Sequence, residues 1–392
     1  MEPVVVGGAT PRGALHIGGS SIARRQLGIV LALGCERIAC LARGPDPEVL
    51  ALQHAAERAG AQFHLIAEPR ALLGLVTARD ELIVLAEGLL ALPDEVVRLL
   101  GAGPAVVVQP AETGIPGGFE RIDFTTASGG ALRIPGNLVE RLEDLPADFD
   151  ALSTLQRIAL QAGVPQKPLA VPAIEAGPRW QLVASEDEAH GLEAAWIAEQ
   201  IGTVRGATPG SWFARGVARR FGPALLHARG GIRTATIAAW GLAVIGLGGG
   251  WFGLTALGLG LCGLGWIVER TAGCLAEVER QTLLEAAPRL SRSELYDWIF
   301  DLSVIALLGW QSTALQLGFP GERYFAPAAL FAMLRLVPRA AAGRWTAWLE
   351  DRAVIAVGLV VAVLAGIAPL AVPALALLLA LVGTIAPRRQ LG

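Results

Sequence analysis

Glu269-Arg270-Thr271-Ala272-Gly273-Cys274-Leu275-Ala276-Glu277 closes one hydrophobic run. After a polar segment, Asp297-Trp298-Ile299-Phe300-Asp301 opens the next. The stretch from Gly265 to Trp310 therefore places acidic residues at the ends of two apolar segments. Asp297 and Asp301 stand four apart, so in a helix they share a face about one turn apart. Carboxylates at membrane depth are costly and tend to have a function. The spacing alone leaves two readings open: a site, or two carboxylates solvated among lipid headgroups.

The same stretch resembles the motif of the CDP-alcohol phosphatidyltransferases, D-x-x-D-G-x-x-A-R followed by G-x-x-x-D-x-x-x-D. Glu269 stands at the first Asp, Ala272 replaces the second, Gly273 and Ala276 match, and Glu277 replaces the Arg. Asp297 and Asp301 match the last two aspartates, with Ser293 at the preceding Gly. The resemblance implies Mg²⁺ or Mn²⁺ held by Glu269, Asp297 and Asp301. It also implies Asp301 as the base, Gly273 against the nucleotide, and a CDP-alcohol as substrate. The losses at Ala272 and Glu277 remove a metal ligand and a phosphate partner.

Around this stretch lie six apolar runs, at Thr234–Gly248, Trp251–Val268, Leu295–Leu317, Tyr324–Val337, Ala353–Leu370 and Val372–Ile385. Several are short against the ~20 residues a straight span needs, and Pro327 and Arg335 interrupt the fourth. Arg229 and Arg233 precede the first run. Arg270, Arg280, Arg289 and Arg292 follow the second, Arg335, Arg339, Arg344 and Arg352 lie around the fourth and fifth, and Arg388 and Arg389 follow the last. Read by the positive-inside rule, this predicts six spans with both termini cytoplasmic. Ahead of them, Trp212 to Phe221 mixes aromatics with Arg215, Arg219 and Arg220, the pattern of a helix lying in a membrane interface.

The first half reads differently. Pro3-Val4-Val5-Val6-Gly7-Gly8 is a β-branched run ending in glycines. Strand patterns at 37–41, 62–66, 81–86 and 105–108 alternate with helical ones at 20–33, 47–59 and 93–100. Such alternation predicts an α/β sheet with ligands at the carboxyl ends of its strands. Glu186, Asp187, Glu188 and Glu193 read as a solvated helix face. The run from Ile201 to Pro209 reads as a domain boundary.

Leu15-His16-Ile17-Gly18-Gly19-Ser20-Ser21-Ile22-Ala23-Arg24-Arg25, following the first strand, resembles the opening of the sugar-phosphate nucleotidyltransferases. That resemblance implies CTP phosphates cradled by Gly7 and Gly8, a charge from Arg12, and Glu87 in place of a metal-binding Asp. The glycine loop is shortened and the usual Lys is absent. His16, His54, His64 and His190 have no motif partner and read as packing or surface residues.

Composition agrees with a two-part chain. Its 392 residues are 53% hydrophobic with mean hydropathy +0.51, too apolar for an ordinary soluble protein, while the first half is too charged for a membrane one. A net charge of −3 gives no case for nucleic-acid binding. Cys35, Cys40, Cys262 and Cys274 lack metal-ligand spacing and read as small buried residues of a reducing compartment. Lys167 is the sole lysine, which with the Ala and Gly load suggests a GC-rich bacterial genome. The chain opens without the basic segment and long apolar core of a signal peptide.

The expected architecture is an α/β nucleotidyltransferase-like domain over residues 1–200, a linker and interfacial helix over 201–233, and an all-α, six-span membrane domain over 234–392. Together the halves resemble bifunctional enzymes that make CDP-inositol and condense it with a second alcohol. This implies a bacterial inner-membrane enzyme of lipid or polyol-phosphate synthesis, with membrane lipid and an alcohol phosphate as partners and a homodimer through the membrane half. A non-catalytic paralogue that binds nucleotide, lipid or a partner enzyme is the second reading. A transporter, supported by span count alone, is the third.

Overall fold

The β-branched run at the start of the chain forms strand β1 (Pro3–Gly8), with neighbours on both sides. The computed structural model describes residues 3–8, 12–143, 150–170, 180–203, 208–227, 230–282, 292–311, 321–341 and 345–385. The chain divides into two compact units. The first is Met1–Ala198 with Glu279–Ala286, and the second is Glu199–Val278 with Ala287–Gly392.

In the first unit, or head, β1 pairs in parallel with β4 (Arg37–Leu41) and β6 (Glu81–Leu85), and β4 pairs in parallel with β5 (Gln62–Ile66). On the far side of β6 come β9 (Thr126–Pro135), β8 (Ala105–Pro110) and β10 (Gln166–Pro168). The seven-stranded order is β10-β8-β9-β6-β1-β4-β5, with β9 antiparallel to its neighbours. A hairpin of β2 (His16–Ile17) and β3 (Ser20–Ser21) and a pair of β7 (Leu89–Ala91) with β11 (Trp180–Leu182) stand outside this sheet.

The central strands β6, β8 and β9 are buried on both faces, which explains the near-continuous apolar runs of β6 and β8, whereas the edge strands β5 and β10 are partly exposed. Ile83, Leu85 and Val107 pack on one face with α1 (Ile22–Ala32), α2 (Pro47–Arg58) and α3 (Pro93–Leu100). Leu82, Val84, Val106 and Leu132 pack on the other with α5 (Ala151–Gln161); the short α4 (Ala111–Gly114) adjoins β8. Burying each such side chain contributes roughly 1.5–3 kcal/mol. Helix starts are set locally: Ser21, Asp46 and Asp150 each accept a hydrogen bond from a first-turn backbone N–H.

The sequence pattern misses β9. Its Gly129-Gly130 pair looks like a turn, yet the strand continues through a register irregularity between Val106 and Val108 of β8. Gly130 has φ 72°, and a Cβ on Gly129 would sit 2.5 Å from Val107 Cγ1. Here the glycines permit a bulge rather than end a strand. A second misreading concerns α6 (Glu186–Thr203). Glu186, Asp187 and Glu188 are exposed as expected, but Glu193 is buried and accepts a hydrogen bond from Gly18 N at 2.7 Å.

The second unit is helical among the described residues. It contains α7 (Pro209–His227), α8 (Gly231–Trp251), α9 (Thr255–Thr282), α10 (Arg292–Gln311), α11 (Glu322–Ala340), α12 (Thr346–Leu349), α13 (Arg352–Leu364) and α14 (Ala368–Ile385). Phe300 and Phe331 meet edge-on in its core at 6.5 Å, and exposed Trp240 meets buried Tyr296 edge-on at 6.1 Å. On α7, Ala214 and Ala218 are buried while Trp212, Phe213 and Phe221 are exposed.

The six-span expectation is corrected here. Helices occupy all six apolar runs, but two among the described residues, α8 and α14, are long and apolar enough to cross a membrane. Charge and length explain the rest. α9 continues through Glu269, Arg270 and Glu277, α10 carries Asp297 and Asp301, and α11 carries Arg335. α13 has 13 residues, about 20 Å of helix against a hydrocarbon core of about 30 Å. In α8 and α14 only 22% of the apolar window is buried, unlike the core helix of a soluble protein. The multi-pass topology with cytoplasmic termini has no support in this helix count; Arg229, Arg289, Arg344, Arg388 and Arg389, on which it leaned, lie outside the described residues. So do residues 204–207 of the expected domain boundary.

Candidate functional site

Chain order places the head's candidate site. From β1 the chain lays β4 and then β5 on one side, and returns to place β6 on the other. The strand order thus switches between β1 and β6, and the crevice beyond their carboxyl ends is where open α/β sheets take ligands. Gly7 and Gly8 end β1 there. They remain in the ladder, opposite Cys40 and Leu41, so they are strand rather than loop. Residues 9–11, where a phosphate-cradling loop would run, lie outside the described residues.

β6 ends at the same edge and delivers Glu87, which is half-buried. Its Oε1 accepts a hydrogen bond from Arg12 N at 3.1 Å. Two residues 75 apart in sequence thus meet at the switch point. The turn that carries Glu87 is tightly held. Gln26 Nε2 donates to Ala86 O at 2.8 Å and to Leu89 O at 3.2 Å, and Val183 N donates to Gly88 O at 2.9 Å. Gly88 has φ 76°, and a Cβ there would lie 2.6 Å from Val183 O, so the position after Glu87 requires glycine. The Arg12 side chain is exposed at this edge. Glu87 presents one carboxylate, which suits a Mg²⁺ that arrives with nucleotide phosphates and keeps most of its ligands from them and from water.

The helical unit arranges its acidic residues otherwise. Asp297 Oδ1 accepts from Trp266 Nε1 at 2.7 Å, and Oδ2 accepts from Arg270 Nη2 at 2.9 Å. Asp301 is 3% exposed, and both its oxygens are taken: Oδ2 by Arg335 Nε at 2.6 Å and Arg352 Nη2 at 3.2 Å, Oδ1 by Arg352 Nε at 3.1 Å. Arg335 also stacks on Trp298 at 3.5 Å from the ring centroid. Glu269 is buried, and its Oε2 has no hydrogen-bond partner among the described residues. A Cβ on Gly273 would meet nothing nearer than Ser293 Cβ at 4.0 Å, so packing does not demand glycine there.

The expected convergence of Glu269, Asp297 and Asp301 on one metal is therefore not the arrangement found. Among the described residues no three His, Cys, Asp or Glu side chains group so as to hold a metal ion. The donor set does not suit a divalent cation, because Asp297 and Asp301 are each held by arginine, whose like charge would lie at close range to the metal. Asp301 as a free base meets the same objection. Sequence reading took Arg335 and Arg352 for orientation charges. The available signal was an arginine interrupting one apolar run and an aspartate inside another, which at membrane depth are each other's natural partners. The four cysteines are free and buried, as expected.

No protein-family model matches the chain, and no curated protein does. Among solved structures the chain is similar to a crystal structure of 4-diphosphocytidyl-2C-methyl-D-erythritol synthase, with TM-score 0.36 and 14% identity over 49% of this chain and 98% of that one. A likeness at that level decides nothing about the chemistry of this chain.

Proposed function

We propose that the head binds a nucleotide in the crevice between β1 and β6 and that α8 and α14 anchor the protein in a lipid bilayer. The observation that carries the reading is the meeting of Arg12 and Glu87 at the strand-order switch. Nucleotide phosphates would lie beyond the carboxyl end of β1, with the Arg12 guanidinium offsetting their charge. Mg²⁺, when bound with the nucleotide, neutralises the phosphates, and Glu87 would contact it. The reaction class is nucleotidyl transfer: an oxygen of a phosphorylated alcohol attacks the α-phosphorus of CTP, a new P–O bond forms, and pyrophosphate leaves. The lipid-facing part rests on exposed apolar side chains such as Ile237, Val244 and Ile245 on α8 and Leu370, Leu377 and Leu381 on α14. On α7, exposed Trp212, Phe213 and Phe221 suit a membrane interface.

Titration of the full chain in detergent with CTP, with and without Mg²⁺, tests this. Weak binding that Mg²⁺ strengthens modestly is expected, since one carboxylate serves the metal. Glu87→Gln should lower affinity about tenfold. Absence of binding by any nucleoside triphosphate would remove the reading.

A further inference from the structure

We propose that the helical unit carries a guanidinium clamp where a divalent-cation centre would stand. Arg335 and Arg352 hold Asp301, while Arg270 with Trp266 holds Asp297. The clamp serves as a structural lock, and the unit's anchoring role needs no metal. This rests on the reading above only in leaving nucleotide chemistry to the head.

The geometry is specific. A carboxylate that ligates Mg²⁺ or Mn²⁺ must turn an oxygen lone pair to a cation at about 2.0–2.2 Å. At Asp301, three guanidinium N–H groups from two residues converge on the two oxygens, at 2.6, 3.1 and 3.2 Å. These partners are themselves sequestered: the Arg352 side chain is 5% exposed and Arg335 16%. A cation entering would have to displace them and would face two like charges at close range. Arg270 pairs with Asp297, and Arg335 and Arg352 pair with Asp301. These two aspartates are thus neutralised by the chain itself.

The clamp also joins elements. Asp301 belongs to α10, Arg335 to α11, and Arg352 opens α13. Arg352 Nη1 also donates to Leu349 O at 3.2 Å. Beside it, buried Asp351 caps α13 through Ala353 N and Val354 N and accepts from Gly210 N at 2.7 Å, tying in α7. Four helices therefore meet through charge-assisted hydrogen bonds, which need fixed geometry and lose it when one partner is removed.

The test uses the full chain in detergent, without nucleotide, in a Glu87→Gln background that removes the head's carboxylate. Mn²⁺ binding is read by electron paramagnetic resonance, and melting temperature is followed in millimolar Mg²⁺, Mn²⁺ or EDTA. The clamp predicts no Mn²⁺ uptake that depends on Asp297 or Asp301 and no shift in melting temperature with any of the three. Stoichiometric Mn²⁺ that Asp301→Asn abolishes would overturn the proposal. In a second arm, Arg335→Gln with Arg352→Gln should lower the melting temperature by about 5 °C or more. A double variant as stable as the parent would also overturn it. CTP titration of an Asp301→Asn chain that keeps Glu87 separates the ideas, since loss of the clamp leaves the head's crevice as it was.

Discussion

The head and the helical unit handle charge in opposite ways. In the head, buried ion pairs and the candidate site lie at opposite ends of the same strands. Arg37 pairs with Asp80 at 2.7 Å and Arg133 donates to Glu81 through Nε at 2.8 Å, both where β4 and β6 begin. Glu87 and Arg12 lie where β6 and β1 end. The sheet thus separates the groups that hold it together from those that face the crevice at the carboxyl ends of β1 and β6. In the helical unit the two aspartates of the resembling motif are themselves the paired ones, Asp301 in the core and Asp297 half-buried. There a residue committed to the lock has little left to offer a substrate.

The largest test of this contrast removes one arm of the lock. Arg352→Met should cost about 3 kcal/mol, because it strips a buried carboxylate of one of its two guanidinium partners. Thermal or denaturant unfolding of the full chain reads it, and a loss below about 1 kcal/mol would show Asp301 to be far less dependent on the clamp than its contacts indicate.

A smaller effect is expected at the bulge in the head. Gly130→Ala places a side chain at φ 72°, 2.9 Å from Phe119 Cε1, and should cost roughly 1–3 kcal/mol with no change in the helical unit. Comparable destabilisation of both units would show that they unfold together.

The Arg37–Asp80 pair should contribute about 1 kcal/mol and do so in a pH-dependent way. Burial works to raise the Asp80 pKa, but hydrogen bonds from Thr77 and Arg37 outweigh it and hold the carboxyl below its ordinary value. A depressed folded-state pKa stabilises above the unfolded value and loses that contribution as pH falls through the folded one. Stability should therefore decline below about pH 4, and Asp80→Asn should flatten part of that decline. An unchanged profile in the variant would assign the acid sensitivity elsewhere.

The smallest stability effect is expected where function is proposed. Glu87→Gln, at a half-buried edge, should change stability by no more than about 0.5 kcal/mol while weakening CTP binding. A large loss of stability there would erase the separation of roles along the strands.

Much of the head was legible from local pattern. The β1, β4, β5 and β6 runs and helix α3 stand where alternation of apolar runs and breakers puts them. β9 was not, because Gly129-Gly130 carries the signature of a turn and its partners, β6 and β8, are distant in sequence. Glu193 was misread for a related reason. In an acidic run it looks solvated, and the Gly18 N–H that draws it inside lies 175 residues away. At the candidate sites, residue type was readable for Glu87, Asp297 and Asp301, but their partners were not.

The sequence by itself determined the division into an α/β head and an apolar, helix-forming second half, because hydrophobic period and run length are local properties. It also marked the carboxylates that would matter, since charge inside an apolar run is conspicuous. Only the tertiary structure decided what neutralises them. Helical spacing set Asp301 one turn from Asp297, yet Arg335 and Arg352, 34 and 51 residues away, reach it first. A buried carboxylate must be matched by whatever cation packing brings within about 3 Å, and packing, unlike period, is not written in any one stretch of the chain.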